Sequence, residues 1–188
     1  MAKKYPTAKC LLHMKLAVVT LAMLIGFRVY ATPPPLVPDH NRADRKSAPV
    51  RPPEGDLPDK IRKLWDAIVR DEPGMAAEAF FPRDAFLLVK AMADPGRYYD
   101  KLRKRFDQDI HDLHHQTGDL DKAVFDRFDL ARRGGFIQVN QEGNRLPYWA
   151  SRHSFIYYRV GQKLNRIEIR VLITWKDRWY VIHLNEFK

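Results

Sequence analysis

Cysteine is nearly absent from this sequence, since Cys10 is the only one among 188 residues. Cys10 precedes the apolar run at residues 16–27, whereas the cysteine of a lipoprotein follows such a run, so lipidation is not expected. A chain cleaved beyond Cys10 contains no thiol. Disulfides, thiolate catalysis and cysteine-ligated metals are therefore excluded from such a mature protein.

Short enzymatic motifs are also lacking. The sequence contains no G-x-S-x-G, no glycine-rich nucleotide loop and no H-E-x-x-H, and no cofactor is expected. Gly134 and Gly135 stand where helical patterns give way to strand patterns, which indicates a turn into a sheet rather than a phosphate loop.

Acidic residues are fewer than basic ones, 23 against 33, for a net charge of +10. The first 31 residues contribute five basic residues and no acidic one, which leaves 28 basic and 23 acidic residues in the remainder. An excess of that size is typical of a solvated surface, so no nucleic-acid partner is expected.

Residues 1–31 have the pattern of a secretory signal peptide. A basic lead ends at Lys15, an apolar run covers residues 16–27, and Val29 and Ala31 provide the small side chains at positions −3 and −1 of a signal-peptidase site. The run is shorter than the roughly 20 residues that cross a bilayer. We expect cleavage after Ala31 and a periplasmic or secreted protein. An uncleaved segment that anchors the chain in the membrane is the alternative.

Residues 32–56 are expected to form a disordered tether, because residues 32–58 hold eight of the 13 prolines and proline favours extended, unpacked chain. A single domain then covers residues 57–188. Apolar residues recur at helical spacing after Asp56, the predicted N-cap, and further helices are predicted at 75–80, 83–93, 97–116 and 120–128. Residues 136–140, 149–160, 167–175 and 179–187 are predicted strands. This order predicts an α+β fold, with N-terminal helices packed on one face of a curved antiparallel sheet of three to five strands.

Two-residue turns at 161–162 and 176–177 set the expected register of the last three strands. One face, which should lie under the helices, carries Ile156, Ile167, Ile169, Val171, Ile173, Tyr180, Ile182 and Leu184. The opposite face is expected to carry a polar and aromatic group composed of His153, Arg170, His183, Glu168, Asn185, Tyr157 and Trp179. In this register, His153, Arg170 and His183 form one row across three strands.

This polar and aromatic face is one candidate site. Arg170 can bind a carboxylate or phosphate, with Glu168, Tyr157, Trp179 and Asn185 as further ligand-binding residues. His153 or His183 can act as a general acid or base. A plain solvent-facing surface and an interface of a homodimer are the alternative interpretations.

A second cluster lies on the predicted helix 97–116. Asp107, His111 and His115 recur one helical turn apart, a spacing that can present metal ligands on one face. A charged outer helix face is the alternative, because a metal site needs further ligands and supporting contacts.

Three stretches carry a resemblance to known proteins: Phe80–Pro82, Asn144–Trp149 and Arg178–Leu184. With the order of helices and strands, they make residues 57–188 similar to uncharacterised exported bacterial proteins with the cone-shaped fold of cystatin-like and nuclear-transport-factor-like proteins. In that fold, helices close a bent sheet over a pocket. The resemblance implies a fold and no activity, since the fold hosts enzymes, binding modules and assembly factors alike.

Together these features predict an exported, non-enzymatic binding or assembly module for an unknown small molecule or protein. It would use either the pocket between helices and sheet or the polar and aromatic sheet face. The alternative is a small-molecule isomerase, lyase or hydrolase that uses His153 or His183 with Arg170.

Overall fold

The computed structural model describes residues 49–185. Within this range, helices are followed by a five-stranded antiparallel sheet, so the predicted α+β class is confirmed. The predicted signal peptide and residues 32–48 of the predicted tether lie outside the described residues. Between residues 49 and 185, no helix combines the length and the apolar character that crossing a bilayer requires.

The helices follow the predicted periodicity closely at α1 and α3. The helical segments are α1 (Leu57–Arg70), a 3₁₀ segment (Pro73–Ala79), α2 (Arg83–Val89) and α3 (Pro95–Gln116). Ile61, Leu64 and Ile68 of α1 are fully buried. Asp56 precedes α1, but its side chain makes no capping hydrogen bond and instead lies 3.2 Å from the ammonium nitrogen of Lys60.

Helix α2 ends four residues earlier than predicted, because the chain after it pairs with a loop. Lys90 forms an antiparallel bridge with Asn144. The amide of Ala91 donates to the carbonyl of Gly143 at 2.8 Å, and the amide of Arg145 donates to the carbonyl of Val89 at 2.7 Å. These long-range bonds replace the helical ones that local sequence would favour.

The sheet has the strand order β1-β3-β4-β5, and β2 pairs with the same edge of β3 as β1. Its strands are β1 (Ala123–Asp129), β2 (Gly134–Ile137), β3 (Tyr148–Val160), β4 (Lys163–Trp175) and β5 (Arg178–His183). The predicted helix at 120–128 is wrong, since a 3₁₀ turn at Leu120–Lys122 leads directly into β1. Burial alternates along the start of β1, and Phe125 packs with its ring centre 6.2 Å from that of Trp65. This two-residue periodicity marks a strand.

The predicted register holds at both hairpins, where Val160 pairs with Lys163 and Trp175 with Arg178. It fails farther along β5. Leu172 pairs with Val181 as expected, but Val171 pairs with His183, so β5 contains one extra residue in a β-bulge.

Residues 49–56, the last part of the predicted tether, contact the domain. A guanidinium nitrogen of Arg51 donates to the carbonyl of Ala131 at 2.7 Å, and the guanidinium carbon lies 4.9 Å from the ring centre of Trp179. The indole nitrogen of Trp179 donates to the carbonyl of Pro52 at 3.4 Å. Trp179 is therefore fully buried, and its predicted place on an open sheet face is wrong.

Candidate functional site in the helix–sheet pocket

A cavity of about 170 Å³ lies between α2, α3 and the helix-facing side of the sheet. Apolar and aromatic side chains form most of its wall, and polar groups gather at one end. The residues that line it are Phe86, Lys90, Met92, Tyr98, Leu102, Glu142, Tyr148, Arg152, Val171, Ile173, Ile182 and His183. We call this cavity the helix–sheet pocket.

The polar end of the helix–sheet pocket is a chain of four side chains from three parts of the sequence. The ammonium nitrogen of Lys90 donates to the hydroxyl of Tyr148 at 3.0 Å. This hydroxyl donates to one carboxylate oxygen of Glu142 at 2.8 Å. Arg152 donates to the other oxygen at 2.5 Å. Because the side chains of Arg152 and Glu142 remain 36% and 34% exposed, their ion pair lies where the pocket reaches solvent.

Asn144 positions this chain of polar groups. It is fully buried, and its side-chain amide donates to the carbonyls of Gln138 and Leu146 at 2.9 and 2.8 Å. Its side-chain oxygen accepts from the amide of Glu142 at 2.9 Å. These three bonds hold the loop between β2 and β3 in shape, so Glu142 and Tyr148 are presented to the pocket in a defined geometry.

His183 enters the helix–sheet pocket because of the bulge in β5. Burial lowers the pKa of its imidazole, and the positive charges of Lys90 and Arg152 lower this pKa further. The ring is therefore mainly neutral at pH 7. Burial also lowers the pKa of Lys90. The pKa of Tyr148 is raised well above its usual value, by burial and by the hydrogen bond to Glu142.

The opposite sheet face brings together three of the predicted site residues. One carboxylate oxygen of Glu168 lies 2.5 Å from the Nδ1 atom of His153 and 3.4 Å from a guanidinium nitrogen of Arg170. These side chains are 33–34% exposed. His153 has a φ of 61°, a left-handed conformation that is uncommon for a residue other than glycine.

Four predicted members of this face lie elsewhere or in a different setting. His183 pairs with Val171 and not with Arg170, so the predicted three-strand row is wrong. The backbone amide of Asn185 donates to Asp109 of α3 at 3.2 Å, which places the backbone of Asn185 beside that helix. The two aromatic members are also covered. Trp179 is buried, as described above, and the guanidinium carbon of Arg127 lies 4.0 Å from the ring centre of Tyr157.

The histidines of α3 do not assemble with Asp107. This carboxylate pairs with Arg103 at 2.7 Å. His111 instead contacts Asp71 at the end of α1 at 2.5 Å, and His115 lies 4.0 Å from the same carboxylate group. Within residues 49–185, no three histidine, cysteine or acidic side chains are arranged to hold a metal ion.

Sequence reasoning did not identify Lys90, Glu142, Tyr148 or Arg152 as site residues. One signal was present. Arg152 is separated by an even number of residues from Ile156 and Tyr158, which are buried toward the helices, so all three side chains are expected on the same side of β3. A charged residue on the apolar side of a strand indicates a polar function or a specific partner. The other three residues gave no comparable signal, since their proximity depends on how a loop folds against α2.

Comparison with known proteins addresses the fold. No family model and no curated protein matches the chain. Among solved structures, the chain is similar to the crystal structure of a cystatin-like protein from Ruminococcus gnavus, with a TM-score of 0.50 and 11% sequence identity. The match covers 68% of this chain and 40% of that one, so the chain spans less than half the length of that protein. The described domain has a cystatin-like fold.

Proposed function

We propose that the protein is an exported binding module that holds a small molecule in the helix–sheet pocket. The observation that carries this proposal is the pocket's composition: apolar walls, with a chain of polar side chains confined to one end. Ligand sites in proteins have this composition, because apolar walls supply affinity and a few fixed polar groups supply orientation.

The volume of the pocket limits the size of its ligand. An apolar cavity of about 150 Å³ engineered into another protein holds one benzene molecule. The helix–sheet pocket, at about 170 Å³, suits a molecule with a body near that size. A folded protein or a long peptide would not enter it.

Blocking the pocket tests this proposal. Val171 lines the pocket, so Val171→Phe should fill it, whereas Val124→Phe changes a residue that is 66% exposed on β1. Native mass spectrometry of gently purified protein should show a small non-covalent mass on the wild type and on Val124→Phe. The mass should be absent from Val171→Phe. Equal occupancy of all three proteins would place the ligand elsewhere.

Export is part of the same proposal, and the signal-peptide pattern of residues 1–31 supports it. The intact mass of protein recovered from a periplasmic or culture fraction should correspond to a chain that begins at Thr32. A chain that retains residues 1–31 and sediments with membranes would instead support the uncleaved anchor.

A small-molecule isomerase, lyase or hydrolase is the second candidate, favoured by the location of His183 in the pocket. A neutral imidazole beside a ligand is suited to act as a general base. Arg170 does not line this pocket, and Arg152 is the arginine that does. If the protein turns over a small molecule, His183→Gln should reduce kcat by about 100-fold or more and leave ligand binding measurable. His153→Gln, on the other sheet face, should leave kcat unchanged, and the reverse result would favour the His153 site.

A further inference from the structure

The polar end of the helix–sheet pocket carries more positive than negative charge. Of the described lining residues, Lys90 and Arg152 are cationic and Glu142 is acidic. Glu142 forms its ion pair with Arg152 at 2.5 Å. The hydrogen bonds of Lys90 go to two uncharged oxygens, the Tyr148 hydroxyl and the Glu142 carbonyl, at 3.0 and 3.4 Å. One positive charge is therefore left without a counter-charge in this group.

The same groups retain donors for a further acceptor. An ammonium has three N–H donors and a guanidinium has five. The contacts described above use two donors of Lys90 and one of Arg152. An anion at this end would therefore gain charge-assisted hydrogen bonds without breaking the bonds that hold Glu142 and Tyr148.

We propose that the ligand of the helix–sheet pocket is a small organic carboxylate, with its anionic group at Lys90 and Arg152 and its apolar body among Phe86, Leu102 and Ile173. This inference rests on the proposed function and adds the charge of the ligand to it. The apolar end favours an organic anion over a hydrated inorganic one, because only the organic anion has an apolar body to bury against those walls.

The electrostatics of the pocket agree with this assignment. Burial lowers the pKa of Lys90, and burial together with Lys90 and Arg152 lowers the pKa of His183. Both shifts have the direction expected of a site where positive charge is desolvated and crowded. A bound carboxylate would relieve this repulsion.

A series of three planar probes of nearly equal shape tests the charge of the ligand. Benzoate is anionic, benzamide neutral and benzamidine cationic at pH 7. Binding would be followed by methyl NMR of Met92, Val171 and Ile182, which line the pocket. We expect benzoate to bind about tenfold more tightly than benzamide, the size of one charge-assisted contact, and benzamidine to bind more weakly than either.

One variant assigns the preference to Lys90. Lys90→Met keeps an unbranched apolar stem and removes the charge, so benzoate affinity should fall to that of benzamide while benzamide affinity stays within about twofold. Lys122→Met is the matched control, because this exposed lysine pairs with Asp119 outside the pocket, and it should bind all three probes as the wild type does.

The possible results separate the two proposals. Equal binding of benzoate and benzamide to the wild type would overturn the carboxylate assignment and leave the pocket as a binding site. If none of the three probes shifts the methyl resonances of the pocket, the small-molecule proposal itself is overturned. A benzoate preference that Lys90→Met leaves undiminished would show that Lys90 does not hold the anion.

Discussion

The ammonium nitrogen of Lys90 lies 3.0 Å from the hydroxyl of Tyr148, and this contact joins the residue after α2 to the first residue of β3. The same hydroxyl donates to Glu142 at 2.8 Å, so Tyr148 links Lys90 and Glu142 at the polar end of the helix–sheet pocket. Tyr148 is nearly fully buried, so the bonds of its hydroxyl are made away from bulk water, where an unmade bond is costly.

Tyr148→Phe should lower the free energy of unfolding by about 1–2 kcal/mol, because Lys90 and Glu142 both lose a buried partner. Urea denaturation would measure the change. Tyr157→Phe is the matched control, since Tyr157 is half-buried on the other sheet face, and it should change stability by less than about 0.5 kcal/mol. Equal effects of the two substitutions would mean that the hydroxyl of Tyr148 contributes little.

Asn144→Ala should loosen the loop between β2 and β3, because it removes three hydrogen bonds of a fully buried side chain. The expected loss is about 3 kcal/mol. Hydrogen exchange should accelerate most at the amides of Ala91 and Arg145, which bond across this loop. Asn165→Ala, at a hairpin position with one bond of 3.3 Å, should leave those two amides protected as in the wild type.

His183→Gln should make the free energy of unfolding depend less on pH under acidic conditions. The folded-state pKa of His183 is lowered from an ordinary value of 6.5, so the unfolded chain binds this proton more readily than the folded protein. Stability should therefore decrease as the pH falls below 6.5 and continue to decrease until the lowered folded-state pKa is passed. Denaturation at about pH 7.5 and about pH 5 would show a smaller difference for His183→Gln than for the wild type. An unchanged difference would mean that His183 is not desolvated.

Gly134→Ala should destabilise the fold far more than Gly135→Ala. Both glycines have positive φ, 126° and 130°, but a Cβ at Gly134 would lie 2.3 Å from the carbonyl oxygen of Ala150. No atom of residues 49–185 lies within 4 Å of a Cβ at Gly135. We expect a loss above about 3 kcal/mol at Gly134, and about 1–2 kcal/mol from backbone strain alone at Gly135. Thermal unfolding of the pair would compare them directly, and similar losses would contradict the predicted clash.

Local patterns were sufficient for the main architecture. The helical spacing of Ile61, Leu64 and Ile68 predicted α1, and both hairpin turns were identified from the sequence. Lys176 and Asp177 adopt the positive φ angles of 49° and 59° that a two-residue hairpin turn uses. Such features depend on residues near one another in the chain, so they can be predicted from the sequence.

The candidate site could be predicted only in part. His183 was singled out, but its location was wrong, because one extra residue in β5 changes the side of the sheet that the ring contacts. His153, Glu168 and Arg170 were expected together and are together, since the β3–β4 register is continuous on either side of them. Their role as a binding face stays a prediction.

By itself, the sequence of this protein determined α1, α3, the last three strands, the α+β class and the regular hairpin registers, because short-range periodicity and turn residues control these features. It did not determine β1, which was predicted as a helix. A pocket between helices and sheet was expected from the resemblance, but only the tertiary structure decided which polar residues line it. The polar residues of the pocket come from separate parts of the sequence: Lys90 follows α2, Glu142 is in a loop, and Arg152 and His183 are in two different strands. No local sequence pattern links them. They lie close together because the hydrogen bonds of Asn144 hold the loop against the chain after α2, and because the bulge in β5 places His183 on the pocket side of the sheet. Both features depend on contacts between residues far apart in the sequence.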